Sequence, residues 1–267
     1  MMKKENKFNN LKWEYFILLG CIITAWAGFA WHVMSDPDFS PLPANEEKAV
    51  RVLIVTGMDH PAHDWRSTTQ AIHEVLSKND QIILDVLEDP YALDSFDLSI
   101  YNVLFLHFNN WERPDPGQQA QHRLQKFVSA GGGLVLLHFA CGAFRDWDEF
   151  EDLAGKVWDG VHTHDPYGEF YVELLSSDHP VTSGLESYFT DDELYIGVEG
   201  DRPVEVLVQA RSVVTGELHP LVFVHEYGKG HVFNMVLGHD APAIRVSNTA
   251  EMLRRGVLWS ADRKTYD

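Results

Sequence analysis

The sequence GGGLVLLHFACGAF occupies residues 131–144 and carries the clearest indication of how the chain folds. Its apolar run, residues 134–137, leads without interruption into His138, which is typical of a strand buried on both faces. The glycines at 131–133 follow a helical pattern at residues 118–129 and are expected to end that helix. A helix followed at once by a buried strand predicts a parallel sheet with connecting helices.

Apolar runs on both sides of this stretch extend the same pattern. The first half predicts strands at residues 51–56, 82–87 and 102–108, with a helix at residues 65–77. The second half predicts strands at residues 169–175, 204–210, 221–227 and 231–238, followed by a helix at 249–260. The tight turn YGKG at 227–230 predicts a hairpin. We therefore expect an α/β fold, a mostly parallel sheet with an antiparallel C-terminal extension.

Charge and cysteine content exclude some classes of function. The chain of 267 residues has a formal net charge of −19, which repels the phosphate backbone of nucleic acid. The same charge does not oppose the binding of a neutral ligand such as a sugar. Its two cysteines, Cys21 and Cys141, are too few for a disulfide framework or a cysteine-rich zinc site.

The N-terminal segment, residues 1–34, predicts a membrane anchor or a signal segment. Residues 15–34 form an uncharged apolar run of about twenty residues. Lysines precede it and acidic residues follow it, so we expect the C-terminal domain outside the cytoplasm, periplasmic or extracellular. An uncleaved signal anchor is the favoured interpretation. A cleaved signal peptide (AWA at 25–27) and a lipoprotein (LLGC at 18–21) stay open. Residues 35–50 are expected to be a linker, and residues 51–261 the folded domain.

Histidine and carboxylate side chains follow several predicted strands. Because ligands bind outside the carboxyl ends of parallel strands, we expect these side chains to share one crevice. The first strand is followed by Asp59, His60, His63, Asp64 and Trp65, the third by His107, Asn109 and Trp111, the fourth by His138, and the last by His239 and Asp240. The stretches HTHDPYGEF and DDELY add His164 and Glu193. Imidazole with carboxylate suits either acid–base chemistry or a divalent metal ion, and no dedicated metal motif decides between them.

Eight ordered motifs resemble the ThuA-like family over residues 51–261. They are VTGMDHPAHDWRSTTQAI, NNW, GGGLVLLHFACGAF, HTHDPYGEF, DHPVTSGL, DDELY, YGKGHVFNMVLGHD and RRGVLWSA. The resemblance implies a flavodoxin-like, class I glutamine amidotransferase-like three-layer sandwich. It also implies carbohydrate metabolism linked to trehalose utilisation, with processing of a glycoside or its 3-keto derivative.

Cys141 departs from this family pattern, which has a small residue at its position. The amidotransferase relatives carry a cysteine on a strained turn with small residues on either side, and here Phe139 crowds that turn. We therefore expect Cys141 to be a buried bystander. A Cys-dependent amidohydrolase or peptidase using Cys141, His239 and Asp240 is the minority alternative.

The resulting hypothesis is His/carboxylate acid–base chemistry on a sugar. The candidate catalytic residues are His138, His239, Asp64 and Asp240. The candidate substrate-binding residues are His63, Trp65, Asn109, Trp111, His164 and Glu193. In this hypothesis Asp64 or Asp240 orients an imidazole, and the two tryptophans stack on a sugar ring. The identity of a cofactor is open, a divalent metal included, and so is the oligomeric state. A sugar-binding module without catalysis is the other alternative. His219, His225 and His231 are expected on the strand surface.

Overall fold

The computed structural model of this protein describes residues 49–262. The strands are β1 (Val50–Val55), β2 (Ile82–Leu87), β3 (Val103–Leu106), β4 (Gly133–Leu137), β5 (Val157–Trp158), β6 (Gly168–Leu174), β7 (Tyr188–Asp192), β8 (Val198–Glu199), β9 (Glu205–Arg211), β10 (Leu218–Tyr227) and β11 (Gly230–Met235). The helices are α1 (Trp65–Leu76), α2 (Gln118–Ser129), α3 (Glu149–Ala154), α4 (Ala241–Arg245) and α5 (Ser247–Ser260).

Nine of these strands form one sheet in the order β2-β1-β3-β4-β11-β10-β9-β6-β7. The first five in this order are mutually parallel. From β11 onward each strand is antiparallel to its neighbour. The predicted parallel sheet with an antiparallel extension is therefore confirmed. Strands β5 and β8 pair separately.

The parallel strands are apolar on both faces because helices cover both faces. Alternate residues of β1 point to opposite sides, so that Val52 and Ile54 pack in one core cluster with residues of α1 and α5. Leu53 and Val55 pack in a second cluster with residues of α2. Sheet and helices thus form the three layers expected of a flavodoxin-like fold.

The local signals in the sequence place the two long helices of the first half. Asp64 caps α1 by accepting a hydrogen bond from the Ser67 backbone N–H at 3.3 Å. Helix α2 ends before Gly131, whose φ of +118° is a conformation that favours glycine. The chain can therefore turn directly from α2 into β4.

The prediction of a membrane-anchored protein needs correction. Among residues 49–262, no helix is long and apolar enough to cross a membrane, so the prediction is wrong for the part of the chain that the structure describes. The segment at residues 1–34 on which it depended lies outside the described residues, as does the predicted linker apart from its last two residues.

Two further expectations change. Strand β7, Tyr188–Asp192, lies between the predicted strands at residues 169–175 and 204–210, where the sequence predicts no strand. His225 is buried rather than on the surface, and its Nε2 atom lies 3.1 Å from the carbonyl oxygen of Leu153, which satisfies that nitrogen inside the protein.

Candidate functional site

The turn after β4 directs His138 toward the carboxyl edge of the parallel sheet. A 3₁₀ turn, His138–Gly142, follows β4 directly. His138 itself has a φ of +49°, which is uncommon for a residue other than glycine. Such strained backbone persists only where the surrounding structure holds it, and it is frequent at functional sites. The imidazole of His138 is completely buried.

Glu193 lies at the centre of the site, with three imidazoles around its carboxylate. Its Oε2 atom is 2.9 Å from Nδ1 of His239 and 3.5 Å from Nε2 of His138. Its Oε1 atom is 3.4 Å from Nε2 of His164. Glu193 directly follows β7, and the three histidines come from separate loops. The convergence predicted for these residues is therefore present in the structure.

Backbone carbonyl groups fix how two of these imidazoles face Glu193. Nδ1 of His138 lies 2.8 Å from the Val236 carbonyl oxygen, and Nδ1 of His164 lies 2.6 Å from that of Asp165. A carbonyl oxygen only accepts, so Nδ1 carries the proton in both rings. In the neutral rings, each Nε2 then turns a lone pair toward a carboxylate. This arrangement is unfavourable unless a cation, either a proton or a metal ion, lies between them.

Asp192, the residue before Glu193, holds this part of the site in place. Its side chain accepts hydrogen bonds from the backbone N–H groups of Gly238 at 2.7 Å, His239 at 3.0 Å and Glu193 at 2.8 Å. Burial raises the pKa of Asp192, although these three N–H groups and His138 oppose that rise. One buried carboxylate thus ties the end of β7 to the loop after β11.

Burial and the mutual contacts of the cluster shift its protonation. Burial raises the pKa of Glu193, but the imidazoles of His138 and His239 lower it more, so that the net pKa lies well below its usual value. Burial lowers the pKa of His239, but Glu193 reverses this and leaves the net pKa raised. Burial, reinforced by the neighbouring imidazoles, lowers the pKa of His63 to about 2. At neutral pH the site therefore combines an ionised carboxylate with a neutral imidazole.

Four of these residues have the composition and spacing of a metal site. His63, His138, Glu193 and His239 each offer a ligand atom, and these atoms all lie within 4.8 Å of one another. Nδ1 of His63, Nε2 of His138 and Nδ1 of His239 are buried and have no hydrogen-bond partner among the described residues. Although Nδ1 of His239 is close to Glu193, the contact lacks hydrogen-bond alignment. Three imidazoles and one carboxylate suit Zn²⁺ or a similar first-row divalent ion, so these residues fit such an ion.

A cavity of about 230 Å³ opens next to Glu193. Aromatic side chains form much of its wall: the rings of Trp111 and Trp158 are nearly parallel, at 15°, with centroids 6.4 Å apart. Tyr195 adds a phenol, and its ring centroid is 4.7 Å from that of His138. The lining residues are His60, Ala62, His63, Asn109, Trp111, Phe139, Cys141, Gly142, Trp158, Thr163, His164, Glu193 and Tyr195. Apolar ring faces beside a few polar groups are what a sugar-sized ligand requires.

Three candidate residues take other positions than predicted. Asp64 and Asp240 each cap a helix, α1 and α4 respectively, rather than orienting an imidazole. Asp240 also accepts a hydrogen bond from the Tyr167 hydroxyl at 3.0 Å. Trp65 is only 4% exposed, does not line the cavity, and donates its indole N–H to Asp59 at 2.8 Å. The carboxylate next to the imidazoles is that of Glu193.

Asn109 and Trp111 do line the cavity, but the amide of Asn109 is already engaged. Its Oδ1 atom accepts a hydrogen bond from the Trp111 backbone N–H at 2.8 Å, and its Nδ2 atom donates to the Phe139 carbonyl oxygen at 3.3 Å. Asn109 therefore positions Trp111, whose φ of +48° also needs support. Sequence reasoning missed Trp158 because β5 has only two residues and shows no strand pattern.

Cys141 lies in the cavity wall without the environment of a nucleophile. The residue is 2% exposed, and burial raises the pKa of its thiol to about 12. A nucleophilic cysteine needs the opposite shift, toward a thiolate at neutral pH. These observations support the expectation of a buried bystander.

Fold and site together define an α/β protein with a histidine–carboxylate centre at the carboxyl edge of its parallel strands. The model of the ThuA family, described as trehalose utilisation, matches residues 51–260. The chain belongs to the ThuA family, as the ordered motifs had indicated. No curated protein matches the chain.

Solved structures agree with this assignment. A ThuA-like protein from Parabacteroides merdae is 23% identical, with a TM-score of 0.73 over 82% of this chain and 93% of that one. A ThuA-like protein from Bacteroides uniformis is 19% identical, with a TM-score of 0.65 over 84% of this chain and 94% of its own. A β-galactosidase from Bacillus circulans is 16% identical, with a TM-score of 0.56 over 80% of this chain but only 31% of its own. At these identities the similarity shows the fold alone. Together with the strand order β2-β1-β3-β4-β11, it confirms the predicted flavodoxin-like three-layer fold.

Proposed function

We propose that this protein processes a neutral glycoside or its 3-keto derivative at the centre formed by Glu193 and its histidines. The observation that supports this most strongly is the position of the Glu193 carboxylate, among three imidazoles and in the wall of an aromatic-lined cavity. The family's description, trehalose utilisation, is consistent with a sugar ligand.

The side chains that reach the cavity differ from those that lie behind it. His63, His164 and Glu193 line the cavity, so we assign them to face the sugar. His138 has no exposed side-chain surface and His239 does not line the cavity, so we assign them to hold Glu193 from behind. This division revises the hypothesis that His138 and His239 themselves exchange protons with the sugar.

A divalent ion held by His63, His138, Glu193 and His239 would polarise a sugar oxygen or lower the pKa of a bound water. The protein's own groups would move the protons. Hydrolysis needs one group that takes a proton from water and another that returns a proton to the departing glycosidic oxygen. For a 3-keto sugar, a base would instead take the acidic proton from C2, next to the ketone. The C1–O bond would then break, the departing oxygen would take a proton from the donor group, and water would add to the resulting double bond.

Tyr195 is suited to the donor role. Tyr195 lines the cavity, and its hydroxyl has no hydrogen-bond partner among the described residues. Burial raises the pKa of Tyr195 well above its usual value, so that the phenol keeps its proton and can donate a hydrogen bond.

The test is a metal analysis combined with product analysis. Purified protein is assayed for bound metal and then incubated with a glucoside and with the corresponding 3-keto-glucoside. We expect a bound first-row divalent ion and release of the aglycone, both lost in Glu193→Gln and kept in Glu199→Gln, a change at an exposed residue on β8. Tight sugar binding without any product in the metal-loaded protein would favour the binding-module alternative and contradict this proposal.

A further inference from the structure

His60 lines the cavity beside Glu193 but is not one of the four residues that fit a metal ion. It is half-buried on the loop after β1, and its ring centroid lies 4.6 Å from that of His63 and 4.8 Å from that of Trp111. The ring of Phe139 is the third neighbour, with centroids 6.1 Å apart. Three rings therefore surround the imidazole of His60 in the cavity wall.

The main chain fixes which nitrogen of His60 carries the proton. The backbone N–H of Ala62 donates a hydrogen bond to Nδ1 of His60 over 3.1 Å. An N–H group only donates, so Nδ1 supplies its lone pair and carries no proton. A charged imidazole has a proton on both nitrogens and could not accept this bond. The ring is therefore neutral, with its proton on Nε2.

The Nε2–H group of His60 has no acceptor among residues 49–262. A polar group in the aromatic wall of a cavity needs a partner, either water or an atom of the ligand. The hydroxyls of Thr163 and Tyr195 in the same wall can donate or accept, whereas this nitrogen only donates. It is therefore suited to a ligand oxygen that only accepts. The oxygen of a ketone is such an atom, and a sugar hydroxyl is not.

We propose that His60 is a catalytic residue, whose Nε2–H donates a hydrogen bond to the ketone oxygen of an oxidised sugar. This inference rests on the proposed function, and it selects the reaction of the 3-keto derivative over hydrolysis of the unoxidised glycoside. His60 then has a role separate from that of Glu193 and its histidines, since it acts on the substrate oxygen at which negative charge develops.

The hydrogen bond from His60 becomes stronger as the reaction proceeds. A base takes the proton from C2, the electron pair of the C–H bond forms a double bond between C2 and C3, and the ketone oxygen becomes negatively charged. When the C1–O bond breaks, the C3 ketone forms again, a double bond forms between C1 and C2, and the departing oxygen takes a proton from the donor group. His60 keeps its proton throughout, as a neutral imidazole can when it stabilises an enolate. Because the bond is strongest to the charged oxygen, it raises turnover more than it improves substrate binding.

The experiment measures turnover of methyl 3-keto-α-glucoside by the full chain, together with exchange of the C2 proton for deuterium by NMR. His60→Ala removes the donor, and His60→Gln supplies an amide N–H of similar reach. The control His122→Ala removes an exposed imidazole on α2. Because one donor to a developing oxyanion contributes about 10²–10³-fold, His60→Ala should lose that factor in turnover and in C2 exchange, with little change in KM. His60→Gln should stay within about tenfold of the parent, and His122→Ala should match it. Metal content should be the same in all four proteins.

Four results would overturn the inference and leave the proposed function intact. They are normal turnover in His60→Ala, equal losses in His60→Ala and His60→Gln, loss of bound metal in His60→Ala, and release of the aglycone by the parent from methyl α-glucoside but not from its 3-keto derivative. If the parent acts on neither sugar, the result counts against the proposed function as well.

The tautomer of His60 can also be tested in the parent without any variant. The nitrogen chemical shifts of its ring should show the proton on Nε2, and a proton on Nδ1 would overturn the inference. Circular dichroism and melting temperature verify that each variant is folded.

Discussion

Nδ1 of His138 donates its proton to the carbonyl oxygen of Val236 over 2.8 Å, across the junction between β4 and β11. This contact turns Nε2 of the same ring toward Glu193. The imidazole is therefore set in one orientation by a main-chain atom, as is usual for a histidine that binds a metal ion.

Replacing Glu193 by Gln keeps the shape of the side chain and removes its charge. We expect metal affinity to fall by more than about 100-fold, because losing a ligand should cost more than losing an outer partner. Metal content of the purified variant and its melting temperature with and without added Zn²⁺ measure this. Glu199→Gln is the matched control. Unchanged metal content in Glu193→Gln would show that the four-residue group is not a metal site.

Replacing His138 by Ala should affect both stability and activity. The Val236 carbonyl oxygen loses its partner inside the protein, which should lower the free energy of unfolding by about 1–3 kcal/mol. Turnover should fall by more than about 100-fold, because a candidate metal ligand that also holds Glu193 is gone. Both quantities are measured on one sample. A destabilised variant with normal turnover per folded molecule would leave His138 with a purely structural role.

Trp65 and Trp111 should respond differently to replacement by Ala. Trp65 is 4% exposed, so its loss should lower the free energy of unfolding by about 3–5 kcal/mol. Trp111 is 36% exposed and lines the cavity, so its loss should leave stability nearly unchanged and weaken sugar binding by up to about tenfold. Chemical denaturation and calorimetry distinguish the two. The reverse pattern would mean that Trp65 is the sugar-facing residue.

Cys141→Ala should keep activity within a few-fold of the parent. The thiol is buried and its raised pKa, about 12, leaves almost no thiolate at neutral pH. The folded parent should accordingly resist iodoacetamide, with labelling followed by mass spectrometry. A drop in turnover of about a thousandfold would instead identify a nucleophile.

Buried His225 should make the protein less stable in acid. Burial lowers its pKa to about 4 from the ordinary value of 6.5, so between these pH values the unfolded chain binds more protons than the folded one. His225 therefore does not reduce the free energy of unfolding above about pH 6.5. As the pH falls toward 4, it lowers the free energy of unfolding progressively, by at most about 3 kcal/mol. His225→Gln should flatten this part of the stability curve, measured by urea unfolding at pH 7 and pH 4.5. The control His219→Gln, at a partly exposed position on β10, should leave the curve unchanged. An identical curve in both variants would contradict the prediction.

Periodicity and strand-end residues were sufficient to predict the parallel half of the sheet. The segment at residues 82–87 became β2 and the segment at 118–129 became α2 without any change in bounds. Because carboxyl ends of parallel strands meet at one edge, His63, His138 and His239 could also be predicted to converge.

The rest depended on contacts that no local pattern encodes. Glu193 was predicted only as one more polar residue of the site, because its position at the centre results from how the β6–β7 hairpin closes on the loop after β11. The sequence predicted Asp64 and Asp240 as partners of the histidines. However, aspartate is also a preferred residue at the N-cap of a helix, and both residues occupy that position in the structure. Trp158 could not be predicted because its strand is too short to show alternation.

The adjacency of Asp192 and Glu193 makes the chemistry of the site a check on correct folding. The two carboxylates follow one another at the end of β7, one bound to backbone N–H groups and the other facing imidazoles. If the β6–β7 hairpin closed one residue out of register, the two side chains would exchange sides. The imidazoles would then meet an aspartate one methylene too short, and the N–H groups of Gly238 and His239 would lose their acceptor. A molecule with the wrong register would be inactive rather than slow. Partial misfolding would therefore lower the number of active molecules and leave the turnover of each active molecule unchanged.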